Sequence, residues 1–585
     1  MRVLACLCLL WAAMPAVAGP NLIPGDTWDN HAQGNITLKV SPAQGTPPGV
    51  ASVITISTAR ATEPYYMAQI SRTIPGDLKA GSRLRFTFWA RSAGRSPMRA
   101  TVERTTPPYT GVVELNIEPG AEWKRYTGMG ATEGYGPDGL SAHFQTGRGP
   151  GEIEIAGVTV ENLGPDPAIV AAEAACKPDA VRRRIRQVRT GVLDVVVRDR
   201  RGRPVPNASV SVRETRSDFL FGCNIFGLSP ADTGAAQSEY QRRFTELFNY
   251  ATLPFYWGAF EPEQGRPQHE RLTAMARWCA EHGLAAKGHP LIWHEVYPRW
   301  APKDPDAAAE LLHNRVKDIL PRYAGTVKYW DVLNEANVAP TYAQTGEGAW
   351  IKRDGAAAVV AKALGWAREA GKGLGNTYLY NDFETGDAND ALLTELARMK
   401  ALPDAVGIQS HMHSGPWPLE RVWAVTERFA RFAKPIHYTE ATVVSAAPRS
   451  FDFAKPPTDW LTTPEGEAAQ ADYVKRFYSL LFSHPSVQAI TYWDFSDAWA
   501  WLNAPAGFLR KDMSPKPAYD ALKQLIRGEW WTDAKASTSA SGRCSVQAFY
   551  GSYAISVTAP GGRSARAEAR FPQGKGKMTV EVRLP

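Results

Sequence analysis

Apolar positions along the 585-residue chain follow two different spacings, and the change of spacing divides it. From about Asn21 to Gly164, apolar and polar residues alternate in short runs separated by Gly and Pro: Ser52–Ser57, Arg83–Trp89, Arg99–Glu103 and Glu152–Val160. Period two sends successive side chains to opposite faces, so this stretch predicts a β-sandwich. An Ala- and Arg-rich stretch, Pro167 to Arg189, predicts a connecting helix. A hairpin is predicted next, Leu193–Arg198 with Ala208–Arg213, turning at Arg201-Gly-Arg-Pro204.

Between about Phe219 and Arg527 the pattern changes to short apolar strands alternating with Ala-rich helical stretches such as Asp306–Leu320, Gly355–Gly371 and Asp390–Met399. Strand then helix, repeated, predicts a (β/α)8 TIM barrel. Its strands are expected near Leu220–Asn224, Tyr250–Leu253, Ala285–His289, Tyr329–Leu333, Thr377–Tyr380, Ala405–Gln409, Ile436–Thr439 and Ala489–Trp493. Alternation returns in Ser545–Phe549, Tyr553–Val557 and Met578–Val582, predicting a small C-terminal β-unit. The expected organisation is a multidomain chain: signal 1–18, sandwich 19–165, linker helix and hairpin 166–217, barrel 218–527, small β-domain 528–585.

The first residues add a destination. Met1-Arg2, an apolar run from Val3 to Met14 and Ala16-Val17-Ala18 before Gly19 have the order of a secretory signal, so a secreted protein, extracellular or periplasmic, is expected. The run is shorter than a spanning helix needs, and no later segment approaches one, so no membrane association is expected. Cys176, Cys223, Cys279 and Cys544 remain beyond the signal, with no C-x-x-C pair to hold zinc. Cys223 and Cys279 read equally as disulfide partners and as buried small hydrophobes. The net charge of +7, from 66 basic and 59 acidic residues, is too small to point to nucleic acid. Its clearest cluster, Arg182 to Arg189, reads as a solvated helix face. A monomer without a cofactor is expected. With 19 Trp and 21 Tyr, the chain is rich in flat aromatic faces, which suit the C–H faces of sugar rings.

Reacting groups of such a barrel lie at the C-terminal ends of its strands. Glu335 ends strand four in Trp330-Asp-Val-Leu-Asn-Glu335, and Glu440 ends strand seven in Ile436-His-Tyr-Thr-Glu440. Two carboxyl groups can cleave a glycosidic bond, one giving a proton and the other attacking directly or activating water. About 5 to 5.5 Å between them means retention of configuration, and about 6.5 to 9.5 Å means inversion. Either glutamate alone also fits a rim carboxylate paired with an arginine.

The motifs around the pair decide between these readings. In order they are Glu261-Pro-Glu-Gln-Gly265, Gly288-His-Pro-Leu-Ile-Trp-His294, Trp330–Glu335, Tyr380-Asn-Asp382, Gly407-Ile-Gln-Ser-His411, Tyr438-Thr-Glu440, Tyr492-Trp-Asp-Phe-Ser-Asp497 and Lys516-Pro-Ala-Tyr519. This set resembles glycoside hydrolase family 10, the endo-β-1,4-xylanase family, from about Phe221 to Leu525. The resemblance implies that Glu335 is the general acid/base and Glu440 the nucleophile of a retaining reaction on a xylan backbone. It implies that Asn334 bonds the sugar 2-hydroxyl beside the nucleophile. His294, Gln409 and His411 would line the cleavage subsite, with His411 near Glu440, and Trp493 and Trp501 would wall the sugar. The segments Asn21–Gly25, Phe86–Arg91, Glu122–Tyr126 and the closing strand of the first region resemble jelly-roll carbohydrate-binding modules. An ancillary sandwich without a sugar site remains the alternative.

The chain departs from the family pattern after strand two. Where the family has Glu-Asn-x-x-Lys gripping non-reducing-side sugars, this chain reads Thr252-Leu-Pro-Phe-Tyr256. Thr442 stands where the family has an Asp that steadies the neighbouring histidine, and Val296 replaces a polar residue. A same-clan hydrolase of another β-glycan or decorated hemicellulose, and an inactive carbohydrate-binding scaffold, therefore stay as alternatives. A zinc reading of His411-Met-His413 lacks a third ligand, so no metal is expected. Asn381, Asp382 and Glu384 read equally as substrate contacts and as loop caps.

Overall fold

The period-two runs of the first region fold into two antiparallel sheets in a computed structural model that describes residues 19–106, 109, 111–447, 449 and 455–585. The expected secretory signal, 1–18, lies outside the described residues. Contacts divide the chain into two compact units that meet in sequence at Glu173 and Ala174.

In the first unit one sheet orders its strands Asp29–Asn30, Gln69–Ile74, Leu140–Gln145, Met98–Arg104 and Gly111–Ile117. The other orders Ile36–Pro42, Ser52–Thr58, Gly151–Pro165, Ser82–Arg91 and Lys124–Ala131. Alternate residues Leu84, Phe86 and Phe88 of one sheet and Ala142 and Phe144 of the other are wholly buried, the Phe88 and Phe144 rings meeting edge to face at 5.0 Å. The opposite face of the first sheet is polar and cross-linked. Gln69 Oε1 accepts from Gln145 Nε2 at 3.1 Å and lies 3.0 Å from His143 Nδ1. Arg99 reaches Gln145 at 2.9 Å, Glu103 at 3.1 Å and Glu114 at 2.6 Å.

In the second unit the eight barrel strands are Leu220–Asn224, Tyr250–Pro254, Ala285–His289, Tyr329–Asn334, Thr377–Asp382, Ala405–Ile408, Ile436–Val443 and Val487–Tyr492. All pair in parallel with their neighbours, and the first pairs with the last, which closes the barrel. The two-residue strand His411–Met412 extends strand seven's edge, opposite Thr442 and Val443. Inside the barrel, Asp331 Oδ2 lies 2.7 Å from Lys287 Nζ and 2.7 Å from His289 Nδ1, all three side chains excluded from solvent. The Lys287 ammonium on this carboxylate, with His289 hydrogen-bonded beside it, offsets the cost of burying charge.

The predicted hairpin does not form. Thr190–Arg198 pairs antiparallel with Arg543–Phe549 and parallel with Lys577–Arg583, while Ser209–Ser217 pairs with Asp533–Ser537 and Gly551–Thr558. The two strands therefore enter opposite sheets of one small sandwich, which Ser564–Phe571 completes. The reason is burial: Leu193, Val195 and Val197 on one strand and Val210 and Val212 on the other each form one apolar face, and across two sheets those faces bury in a shared core with Ile555, Val557 and Phe571. The C-terminal β-unit thus takes in strands from before the barrel.

The basic cluster is corrected at two residues, the half-buried Arg184, whose Nη2 donates to Ala175 O at 2.6 Å and Ser483 Oγ at 3.1 Å, and the last one. Helix Pro178–Arg189 ends on a buried arginine, whose Nε donates to Phe482 O at 2.6 Å and whose Nη2 donates to His484 O at 2.6 Å and Val487 O at 2.7 Å. Arg189 pins this helix to the start of barrel strand eight. Cys176, Cys223, Cys279 and Cys544 are free thiols, and burial raises all four pKa values. Among the described residues no helix is long and apolar enough to cross a membrane.

Candidate active site

Three residues just past strand ends adopt positive φ, Glu335 (58°), Ser410 (69°) and Asp494 (78°), as does Val296 (48°) in the loop after strand three. Such backbone costs about 1 to 3 kcal/mol per residue and clusters where a side chain must be aimed. Glu335 is held there by its own N–H, which donates to Asn381 O at 2.9 Å. Its carboxylate turns into the barrel mouth and is 8% exposed as a residue. Oε1 accepts from Gln409 Nε2 at 2.7 Å and Asn334 Nδ2 at 3.0 Å, and Oε2 accepts from Trp293 Nε1 at 3.0 Å.

Glu440, inside the seventh strand, faces the same space. Its Oε1 accepts from Asn381 Nδ2 at 2.7 Å, and its Oε2 lies 3.0 Å from His411 Nε2. His289 Nε2 stands 3.9 Å from Oε1. Asn381 Nδ2 also donates to Asn334 Oδ1 at 2.8 Å, so two amides join the carboxylates.

The two environments push the carboxyls apart. Burial raises Glu335 to about 8, helped by the charge of Glu440 and opposed by the donors Gln409 and Trp293. Burial also pulls Glu440 upward, but His289, His411 and the buried Lys287 outweigh it and leave Glu440 below the usual carboxylate value. Near neutral pH the first carboxyl holds a proton and the second does not. Environments that separate two like groups in this way suit one to proton donation and the other to attack.

The other expected site residues surround this pair. Asn334 donates to Glu335 and reaches Glu440 only through Asn381. Gln409 bonds Glu335 directly. His411 sits beside Glu440 as expected, and Thr442 takes the steadying position, its Oγ1 3.0 Å from His411 Nδ1. His294 is buried 3.9 Å from Glu335 Oε2, its ring on Tyr342 at 4.2 Å, and burial lowers it to about 4, so it is neutral. Trp493 is buried and meets His289 and His411 edge-on at 5.4 and 6.0 Å. Trp501 packs on His411 at 4.9 Å and is 42% exposed, so it leaves a face open to solvent.

Two residues of the site, Trp293 and Tyr256, carry no role in the sequence reading, and a third, Asn381, reads there equally as substrate contact and loop cap. Trp293, in the Gly288–His294 motif, is a direct partner of Glu335. Asn381 links both carboxylates, whereas its neighbours Asp382 and Glu384 cap the loop, accepting from Glu384 N at 2.9 Å and Gly386 N at 2.5 Å. Tyr256 stands against His289 and Trp293, at 5.4 Å from each ring. Among the described residues no group of three His, Cys, Asp or Glu side chains is placed to hold a metal ion.

Known proteins with similar sequences share this region. An anti-sigma-I factor of Acetivibrio thermocellus is 25% identical over 418 residues, covering 70% of this chain and 50% of its own length. The chain thus spans half of that relative. Endo-1,4-beta-xylanase B of Thermotoga neapolitana is 27% identical over 329 residues, covering 53% of this chain and 87% of that protein. Among solved structures, xylanase 10B from Thermotoga petrophila in complex with xylobiose is 22% identical with a TM-score of 0.45, over 53% of this chain and 95% of its own. The profile of glycosyl hydrolase family 10 matches residues 221–525, more than half of the chain, and on that match, with the paired glutamates inside it, the chain belongs to glycosyl hydrolase family 10.

Proposed function

We propose that the protein is a secreted retaining hydrolase that cuts the β-1,4-linked backbone of xylan, with Glu335 as general acid/base and Glu440 as nucleophile. The observation that carries this reading is the opposite protonation of two carboxyls joined by a single amide pair. The names of the xylanase relatives support xylan as the substrate.

In the first step a Glu440 oxygen bonds the anomeric carbon while the glycosidic C–O bond breaks and its oxygen takes the Glu335 proton. The leaving sugar departs, and a glycosyl ester remains on Glu440. In the second step Glu335, now a carboxylate, takes a proton from water as the water oxygen bonds the anomeric carbon and the ester bond breaks. Double inversion retains configuration and returns both groups to their starting charge. Asn381 and His411 hold the Glu440 oxygens in line for attack, and neutral His294 adds no charge to compete for the Glu335 proton.

Product analysis on β-1,4-xylan, glucuronoxylan, arabinoxylan, mixed-linkage glucan and mannan tests the reading. Short xylo-oligosaccharides formed first as the β-anomer, and absent with Glu335→Ala and Glu440→Ala, support it. Products from another glycan alone redirect it within the family, and silence on all five with sugar binding intact leaves a scaffold. The polar face of the first unit supports a second role, attachment to the same polysaccharide. Its mixed donors and acceptors, with Arg99 neutralised by two glutamates, suit a neutral hydroxylated chain.

A further inference from the structure

The rim built by barrel strands one and two has few groups that meet solvent. Among residues 225–228 and 253–257, those not fully buried are Phe226, Gly227, Pro254 and Tyr256. Tyr256 alone of these carries a polar side-chain atom, and Trp257 nearby spends its Nε1 on Glu261 at 3.0 Å.

Tyr256 is also central. Its ring stands perpendicular to His289 at 5.4 Å and tilted against Trp293 at 5.4 Å. His289 is the neighbour of Glu440, and Trp293 is the donor to Glu335. Phe226 meets Tyr256 edge-on at 5.7 Å and Trp493 at 5.2 Å. An aromatic collar thus runs Trp293, Tyr256, Phe226, Trp493 around the mouth. The sugar that becomes attached to Glu440 is the one on the non-reducing side of the cut; its anomeric carbon must sit between the two carboxyls, and Tyr256 stands 5.4 Å from the ring beside each.

We propose that Tyr256 is the specificity-determining residue for that sugar, offering its ring as a stacking face and its hydroxyl as the one hydrogen-bonding group of this wall. The inference rests on the glycosidase reading above. Stacking on an aromatic ring rewards a sugar whose hydroxyls are all equatorial, because one axial hydroxyl breaks the flat C–H face. The site therefore selects a β-xylopyranosyl unit over its 4-epimer by shape. Burial, reinforced by the charges of Glu440 and Glu335, keeps the Tyr256 phenol protonated and a donor.

The test compares kcat/KM for an aryl β-D-xyloside with that for the aryl α-L-arabinopyranoside, which differs only in an axial 4-hydroxyl. Wild type, Tyr256→Phe and Tyr256→Ala are assayed together with xylan. The xyloside preference is expected to fall about tenfold in Tyr256→Ala and to survive in Tyr256→Phe, which loses about tenfold in kcat/KM on both sugars for one hydrogen bond. A merely structural role would depress both substrates alike in Tyr256→Ala, so an unchanged preference there overturns the inference. A wild type that cuts xylan but neither aryl sugar also overturns it, by placing discrimination further from the cut. A wild type silent on xylan and on both sugars sinks the xylan reading on which the inference rests.

Discussion

Removing the Trp293 donor from Glu335 should make the acid harder to ionise, and the direction is open to measurement. In Trp293→Phe the ring remains but the N–H that Oε2 accepts at 3.0 Å is gone. A hydrogen bond to a charged acceptor is worth about 1.5 to 3 kcal/mol, and one to a neutral acceptor about 0.5 to 1.5. The ionised form of Glu335 therefore loses about 1 to 1.5 kcal/mol more than the protonated form, or about one pKa unit. Solvent does not screen the effect, because Glu335 is 8% exposed. In the proposed mechanism activity needs Glu335 protonated, so the alkaline limb of kcat/KM, which starts from about 8, should move upward by about one unit. The assay is a pH series on a substrate with a poor leaving group, where proton donation limits the rate. A limb that moves down or stays in place would refute the claim that Trp293 stabilises the ionised acid.

Asp331→Asn leaves Lys287 and His289 around an uncharged amide in the barrel interior, and a loss of about 3 to 5 kcal/mol is expected by urea titration, since a buried ion has lost its partner. Thr442→Val removes the hydroxyl at His411 Nδ1, and kcat should fall about tenfold with circular dichroism unchanged. On insoluble xylan, the full chain carrying Glu335→Ala should be retained, and adding Gln69→Ala, which strips the acceptor shared by His143 and Gln145, should weaken retention by about threefold or more, read by depletion from solution. A chain ending at residue 528 should be recovered mostly as aggregate, measured by light scattering, because the apolar faces of Thr190–Arg198 and Ser209–Ser217 lose their cover.

What was legible in the sequence follows from how locally each feature is determined. Barrel strands such as Leu220–Asn224 and Ala405–Ile408 are short, mostly apolar runs between helices, and a run too short for a helix but buried on both faces reads as a parallel strand. Glu335 and Glu440 could be named because strand ends and ordered motifs mark them. Strand partners were not local. Val195 faces Val580 across hundreds of residues, and nothing in the Arg201–Pro204 turn says that its flanking strands part company. The donors to the carboxylates were hidden for another reason: whether Trp293 and Asn381 point at a glutamate depends on rotamers set by packing, which periodicity does not encode. Arg189 looked like its solvated neighbours because only the carbonyls of residues 482, 484 and 487 distinguish it.

The parallel pairing of Thr190–Arg198 with Lys577–Arg583 carries a consequence for the order of assembly. A strand made early must wait for Lys577–Arg583, so the small sandwich is a clasp that shuts only after the barrel between its halves has been delivered. Until then two hydrophobic strands stand with open edges, the kind of surface on which unfinished chains pair with one another. Interrupted synthesis or a nick near the C-terminus thus leaves a complete catalytic barrel on a chain marked as unfinished by its own unpaired strands.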